Sequence, residues 1–97
     1  MIELRQTHEF ARWLDELRDI RARARVQARI ERLAMGNPGD ARSIDEGVCE
    51  LRIDYGPGYR VYFIRHGHDE VVILLAGGDK SSQTKDIRTA LRLARGL

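Results

Sequence analysis

Cysteine is nearly absent from this sequence, which excludes two classes of site. The 97 residues contain one cysteine, Cys49, so neither an internal disulfide nor a zinc site built from several cysteines can form within the chain. Cys49 lies beside Val48 and Leu51 in a predicted strand. This position favours a buried thiol over a catalytic nucleophile.

Long apolar runs are missing as well. The longest, residues 71–76, is far shorter than the roughly 20 residues that a transmembrane helix needs. The N-terminal residues contain no apolar signal region. With 42% hydrophobic and 33% charged residues, the composition is that of a soluble globular protein. We therefore expect a cytoplasmic chain that forms a single domain over residues 1–97.

Lysine is scarce, although basic residues as a group are not. The chain has 2 Lys and 15 Arg, yet its formal net charge is only +2. The planar, forked guanidinium group suits phosphate and carboxylate partners. Six of these arginines fall between Arg18 and Arg32, and we interpret most of them as a solvated helix face.

Apolar spacing predicts two helices in the first third of the chain. A short strand at residues 2–5 comes first, because apolar and charged residues alternate there. Thr7 offers an N-cap to the first helix. A break near Asp19 separates it from a second helix over residues 20–35, which ends in the stop signals of residues 36–40.

Three strands joined by short turns are predicted next. Alternation predicts strands over residues 48–54 and 59–65, with a Gly-Pro-Gly turn between them, and an apolar strand over 71–76. Residues 41–47 are predicted to be a polar connector. The meander and helices together predict an α+β fold. In it, two N-terminal helices pack on a small antiparallel sheet, made of the N-terminal edge strand and the three-stranded meander.

A C-terminal helix is expected to complete this fold. Gly77 and Gly78 are predicted to end the third strand of the meander, and Ser81 or Ser82 to cap the helix. Lys80 then lies just before a helix N-terminus, where free backbone N–H groups attract anions.

One face of the meander gathers basic residues. The apolar strand residues are expected to face the helices, which leaves Arg52, Arg60 and Tyr62 on the opposite face. Neighbours on adjacent strands are about 5 Å apart, so two guanidinium groups repel unless an anion lies between them. Two interpretations stay open, a lattice of salt bridges with Glu50 and Asp54 or a phosphate-binding site. Lys80 favours the second.

Acid–base and metal chemistry have few candidates. The histidines lie in predicted helix-start or turn positions, so no Ser–His–Asp or Cys–His unit can be defended. His66 and His68 are spaced as two metal ligands, but no third ligand is nearby, so a solvated turn is favoured.

Two long stretches carry a resemblance to a known family. One is residues 50–63, with ELRI followed by GPGYRVYF, and the other is residues 74–87, with LL, GGDKSSQ and KDI. Together they resemble the HigB-like "addiction module killer protein" branch of the RelE/ParE toxin superfamily. The resemblance extends over nearly the whole chain.

The resemblance implies a RelE-like microbial RNase toxin fold and a toxin of a type II toxin–antitoxin system. It implies cleavage of mRNA on the ribosome by 2′-hydroxyl attack, without metal or cofactor, and so an inhibition of translation. The implied partners are the ribosome, mRNA and a cognate HigA-like helix-turn-helix antitoxin, which would provide the only link to operator DNA. No membrane is involved. The arginines from Arg18 to Arg32 then have an alternative role, as contacts to ribosomal RNA or to antitoxin acids.

The resemblance also implies roles for single residues. Arg60 and Lys80 match basic positions that stabilise the scissile phosphate in RelE-type toxins, and Arg52 is a third such match. Better-studied members carry a Tyr or His near the C-terminus, but none follows His68 here. The general base is thus undetermined. Tyr62 is a candidate, although a phenol with a pKa near ~10 needs strong perturbation to act at neutral pH.

Two alternatives to RNA cleavage remain open on this resemblance. The chain could be a ParE-like toxin, which acts on DNA gyrase and cleaves no RNA. It could also be an inactive toxin, retained as half of an autorepressing complex with its antitoxin.

Overall fold

The computed structural model describes residues 2–68 and 70–97, so Asp69, in the predicted turn before the last strand, lies outside the described residues. The elements are, in chain order, β1 (Glu3–Gln6), α1 (His8–Glu16), α2 (Ile20–Ala34), β2 (Ala41–Asp45), β3 (Val48–Ile53), β4 (Tyr59–His66), β5 (Val71–Asp79), a 3₁₀ turn (Lys80–Ser82) and α3 (Gln83–Arg95). No helix among the described residues has both the length and the apolar character needed to cross a membrane.

Side-chain caps begin both N-terminal helices where the sequence predicts. The Thr7 hydroxyl accepts a hydrogen bond from the backbone N–H of Phe10 at 3.0 Å. Asp19 caps α2, because its carboxylate accepts from the N–H of Arg21 at 2.9 Å. The predicted break near Asp19 is therefore confirmed, and its cause is a cap that satisfies otherwise unpaired N–H groups.

The sheet has five strands in the order β1-β5-β4-β3-β2. The predicted meander is confirmed as β3, β4 and β5, and β1 lies at one edge as expected. The prediction of an antiparallel sheet is wrong at this edge, because β1 runs parallel to β5 and makes the sheet mixed. The predicted polar connector is wrong, since Ala41–Asp45 forms β2 and pairs with β3. Its polar residues are typical of an edge strand, which is open to solvent along one side.

Helices cover both faces of the sheet. The face under α1 and α2, called here the α1/α2 face, carries an entirely apolar set of buried residues: Phe10, Val26, Ile30, Leu33, Leu51, Ile53, Val61, Phe63, Val72 and Leu74. The opposite face, called here the α3 face, buries a smaller set under α3: Val48, Tyr62, Leu75, Ala76 and Ala90. The sequence predicts α3 correctly but not the sheet face that it covers.

The strand β5 continues through Gly77 and Gly78, where the sequence predicts its end. Trp13 of α1 lies so close to Gly77 that an added Cβ would collide with its indole ring. On the other face, a Cβ at Gly78 would collide with the carboxylate of Asp86. The two glycines thus allow close packing of α1 and α3 on opposite faces of one strand.

Candidate functional site

The basic residues singled out in the sequence line one groove beside the turn between β3 and β4. The groove has a volume of about 440 Å³ and is lined by Asp40, Arg52, Asp54, Gly56, Pro57, Gly58, Arg60 and Lys80. We call it the basic groove. Arg52 lies directly across from Arg60 in the strand register, as alternation predicts. On the other side of β4, Arg60 pairs with Gly78 of β5. Lys80 follows two residues after Gly78, at the end of β5, and therefore lies close to Arg60.

Gly58 is the point on which Arg60 and Lys80 converge. Its φ of +81° is one that a side chain rarely tolerates. A Cβ placed there would lie 3.5 Å from Nη1 of Arg60 and 3.5 Å from Cβ of Lys80. The positive φ therefore favours glycine in this turn, and the side chains of Arg60 and Lys80 both border the space beside it.

Arg52 has a counter-ion that the sequence does not predict. Its Nη2 and Nε donate to Oδ1 of Asp40 at 2.7 and 3.1 Å. Neither Glu50 nor Asp54, the carboxylates predicted for this role, makes this contact. Asp40 was missed because it precedes β2 and comes beside Arg52 only when β2 pairs with β3. The guanidinium group of Arg52, which lines the groove, is thus already paired with Asp40.

Arg29 of α2 holds the segment that carries Asp40. Its Nη2 donates to the carbonyls of Pro38 and Asp40 at 3.0 and 3.1 Å. Its Nη1 donates to the carbonyl of Arg52 at 2.5 Å. Burial, and then the charge of Arg32, lower the pKa of Arg29. The prediction of a solvated face is wrong for this residue, which is half-buried and joins α2 to the groove wall.

Arg60 is largely buried, with 12% of its side chain exposed. Its Nη1 donates to the carbonyls of Gly58 and Tyr59, both at 3.2 Å. Its Nε is buried without a hydrogen-bond partner among the described residues, and faces Oε2 of Glu50 at 3.9 Å. The guanidinium group is therefore held at Nη1 by two hydrogen bonds. Its Nε lies near Glu50 without bonding to it, and its exposed part lines the groove.

Glu50 is completely buried rather than part of a surface lattice. Its Oε1 accepts from Nε of Arg42 at 2.9 Å, and its Oε2 accepts from Nε2 of Gln83 at 2.8 Å. Arg42 belongs to β2 and Gln83 begins α3. We call Glu50, with Arg42, Arg60, Tyr62 and Gln83, the Glu50 cluster. A buried carboxylate of this kind needs cationic or hydrogen-bonding partners, because ionic groups are costly to remove from water.

Tyr62 does not reach the groove. It lies on the same face as Arg60, as predicted, but α3 covers it and leaves it 0% exposed. Its hydroxyl is buried and has no hydrogen-bond partner among the described residues. Burial, and then the charge of Glu50, raise the pKa of Tyr62. The expectation of an accessible phenol is therefore wrong, and the shift makes this hydroxyl a still weaker base at neutral pH.

Lys80 is exposed at the start of the 3₁₀ turn that leads into α3. The cap of this turn is Asp79, because its Oδ1 accepts from the backbone N–H of Ser81 at 2.8 Å. Ser82 occupies the N-cap position of α3, as predicted, but its side chain makes no capping hydrogen bond to that helix. The Ser82 side chain completes a capping box. Within residues 2–68 and 70–97, Lys80 makes no salt bridge. Its ammonium group is thus available to an anion.

Other candidate groups lie away from this arrangement. Cys49 is half-buried against the α1/α2 face, and burial raises the pKa of its thiol. His66 and His68 are exposed. In the part of the chain that the structure describes, no three His, Cys, Asp or Glu side chains are grouped as metal ligands would be.

Sequence comparisons find one family and one relative that match most of the chain. The family described as Phage derived protein Gp49-like (DUF891) matches residues 12–95. A Haemophilus influenzae protein described as uncharacterized is 50% identical over 96 residues, covering 99% of this chain and 96% of that protein.

Solved structures of one toxin and of one toxin–antitoxin complex are similar at low sequence identity. A mutant of the E. coli toxin RelE in the free state has a TM-score of 0.69 and 10% identity, covering 90% of this chain and 95% of that one. A chain of the RelBE2 toxin–antitoxin complex from Mycobacterium tuberculosis has a TM-score of 0.53 and 18% identity, covering 81% and 98%. These similarities confirm the predicted RelE-like α+β fold.

Proposed function

The chain belongs to the Gp49-like family of phage-derived proteins, and from that premise we propose that it is the toxin of a type II toxin–antitoxin system. We propose further that it belongs to the HigB-like branch and cleaves mRNA on the ribosome, in the cytoplasm, as an endoribonuclease that needs no metal. The observation that carries this proposal is the convergence of Arg60 and Lys80 in one groove.

The groove suits the charge that develops during RNA cleavage. As the 2′-oxygen attacks phosphorus and the 5′-oxygen leaves, negative charge builds on the phosphate oxygens. Arg60 offers oriented N–H donors and Lys80 a mobile ammonium group, both of which stabilise that charge. Arg52 contributes less, because Asp40 already holds it. Catalysis by this chain then depends on orientation and charge stabilisation, with part of the geometry supplied by the ribosome.

Proton transfer has one candidate within the groove. The Tyr62 hydroxyl is buried, and Asp40 is occupied by Arg52. Asp54 also lines the groove, is exposed, and makes no hydrogen bond to the described residues through its side chain. In this proposal its carboxylate accepts the proton of the 2′-hydroxyl, and the departing 5′-oxygen takes a proton from water.

An antitoxin partner is part of the proposal. The similar RelBE2 chain was solved in a toxin–antitoxin complex, which supports such a partner here. We propose a HigA-like helix-turn-helix antitoxin, which would stabilise the toxin by binding its folded state. Contact with operator DNA would pass through that antitoxin alone.

Induced expression with primer extension on mRNA tests this function. The wild-type gene is expected to stop growth and to produce new 5′ ends in translated mRNA. Lys80→Ala and Arg60→Ala should each lower cleavage by about 100-fold, the effect of losing a donor to a developing oxyanion. Arg88→Ala is the matched control, because Arg88 is exposed on α3 and outside the groove.

Other results would point elsewhere. If both groove variants stay fully toxic, the assigned site is wrong. DNA damage with intact mRNA would indicate a ParE-like action on gyrase. A wild-type protein without any effect on growth would indicate an inactive toxin that serves only in an autorepressing complex.

A further inference from the structure

A buried carboxylate lies directly behind the basic groove. Glu50 on β3 is fully buried and contacts three other elements, through Arg42 of β2, Arg60 of β4 and Gln83 of α3. An ionised carboxylate without partners at such a depth would be strongly unfavourable. Its partners therefore have to stay in place while the protein is folded.

The two arginines of the Glu50 cluster differ in how they serve that carboxylate. Arg42 makes the direct contact at 2.9 Å, although 52% of its side chain is exposed. Arg60 lies farther away at 3.9 Å, and only 12% of its side chain is exposed. Arg42 thus neutralises the carboxylate from the outside. Arg60 is attracted to the Glu50 carboxylate by charge but forms no hydrogen bond with it.

The contacts of Arg60 leave one part of its guanidinium group unused. Nη1 donates to two backbone carbonyls of the turn, and Nε faces Glu50. Among the described residues Nη2 has no hydrogen-bond partner. An arginine side chain that is free to move loses rotamer entropy when it is immobilised. Holding Arg60 before an anion arrives removes much of that cost from binding.

We propose that Glu50 is a positioning residue for Arg60, and that Gln83 fixes Glu50 in the orientation that this requires. Gln83 donates to Oε2, the same oxygen that Nε of Arg60 faces. The first residue of α3 therefore sets the direction of the carboxylate toward the groove. This proposal rests on the proposed function only in taking the basic groove as the site that binds phosphate.

A purely electrostatic role for Glu50 predicts the opposite sign. A negative charge buried behind an anion site weakens anion binding by Coulomb repulsion, so its removal should tighten binding. If Glu50 instead positions Arg60, its removal should weaken binding, even though a repulsive charge is lost. The direction of the change in phosphate affinity separates the two roles.

Titration of the purified protein with inorganic phosphate, followed by NMR, measures this direction. Glu50→Gln should weaken binding by about tenfold, because the charge attraction that holds Arg60 in place is lost. Gln83→Ala, which changes no charge, should weaken it by about threefold, because Glu50 keeps both arginines and loses only the hydrogen bond that sets its direction. Glu46→Gln is the matched control, because Glu46 pairs with Arg95 on the exposed surface outside the groove. It should stay within about twofold of wild type.

Equal or tighter phosphate binding by Glu50→Gln, or unchanged binding by Gln83→Ala, would overturn the proposal. If Glu50→Gln does not fold, as judged by circular dichroism, Gln83→Ala decides alone, because it retains the carboxylate and its two arginines.

The Nε–H signal of Arg60 distinguishes a failure of positioning from a failure of the proposed function. In the wild-type protein this buried group should be protected from exchange with solvent, and Gln83→Ala should reduce that protection. Reduced protection together with no phosphate binding by the wild-type protein would contradict the phosphate site while supporting the positioning role. Protection that Gln83→Ala leaves unchanged would overturn the positioning role whatever the phosphate result.

Discussion

The two faces of the sheet differ in chemistry although they are built from the same strands. The α1/α2 face is covered by two helices, and its ten-residue buried set is apolar throughout. The α3 face is covered by one helix, and it buries the Tyr62 hydroxyl and the Glu50 carboxylate among its apolar residues. Beyond the reach of α3, this face opens into the basic groove.

This difference indicates that the two faces have separate roles, one in stability and the other in forming the charged site. Burial of apolar side chains supplies most of the favourable free energy of folding, and it is concentrated under α1 and α2. Polar groups that are costly to bury are found on the other face, where the Glu50 carboxylate lies 3.9 Å from Nε of Arg60. The strands thus provide stability on one side and a charged site on the other.

The largest expected effect is on the α1/α2 face. Phe10 is 0% exposed, with its ring centroid 5.8 Å from that of Trp13. Phe10→Ala should lower the free energy of unfolding by about 3–5 kcal/mol, through lost burial and a residual cavity. Urea unfolding measures this. Ile20→Ala, at a side chain that is 80% exposed, should change stability by less than about 0.5 kcal/mol. A small loss at Phe10 would contradict the assignment of stability to this face.

A smaller effect is expected where α3 begins. Asp79→Ala removes the cap of the 3₁₀ turn and should cost about 1 kcal/mol at neutral pH. Hydrogen bonds from the Ser81 side chain and backbone lower the pKa of Asp79 below its unfolded value. The stabilisation is therefore fully present above pH ~4 and is lost as the pH falls through the lowered pKa.

Unfolding of Asp79→Ala and wild type at several pH values tests this sign. The difference between the two proteins should shrink as the solution is acidified. Asp79→Asn is the control, because asparagine also caps helices but has no charge to titrate. A difference that grows toward acid pH would refute the assigned role of this carboxylate.

The smallest effect is expected inside the α3 face. Tyr62→Phe removes a buried hydroxyl that has no hydrogen-bond partner among the described residues, so stability at neutral pH should change by less than about 1 kcal/mol. The raised pKa of Tyr62 means that folding favours the neutral phenol. This contribution is present below pH ~10 and is lost at more alkaline pH. The substitution should therefore reduce the alkaline loss of stability.

Growth arrest and mRNA cleavage by Tyr62→Phe should match wild type within about twofold, because the hydroxyl does not reach the groove. Tyr55→Phe is a matched control, since it removes a hydroxyl that lies on the other side of the sheet and donates to Asp19. A large loss of cleavage in Tyr62→Phe alone, with the fold intact, would give the phenol a direct role after all.

Local signals in the sequence predicted much of the fold. Thr7 and Asp19 cap the helices through contacts a few residues away, so their effect is visible without tertiary structure. Alternation placed Arg52 and Arg60 side by side, because adjacent strands of a meander have few alternative registers. The features that were missed depend on distant partners, such as the pairing of β2 that brings Asp40 to Arg52.

By itself, the sequence determined which residues share a face. The period of two along β3 and β4 separates Leu51 and Val61 from Arg52 and Arg60, whatever covers the sheet. Only the tertiary structure decided which part of each face is buried. The position of α3 on the sheet depends on packing against residues far away in the chain. In that position α3 covers Glu50 and Tyr62 and leaves Lys80 exposed. Burial under α3 therefore enclosed the carboxylate of Glu50 in the protein, whereas the ammonium group of Lys80 remained available to a ligand.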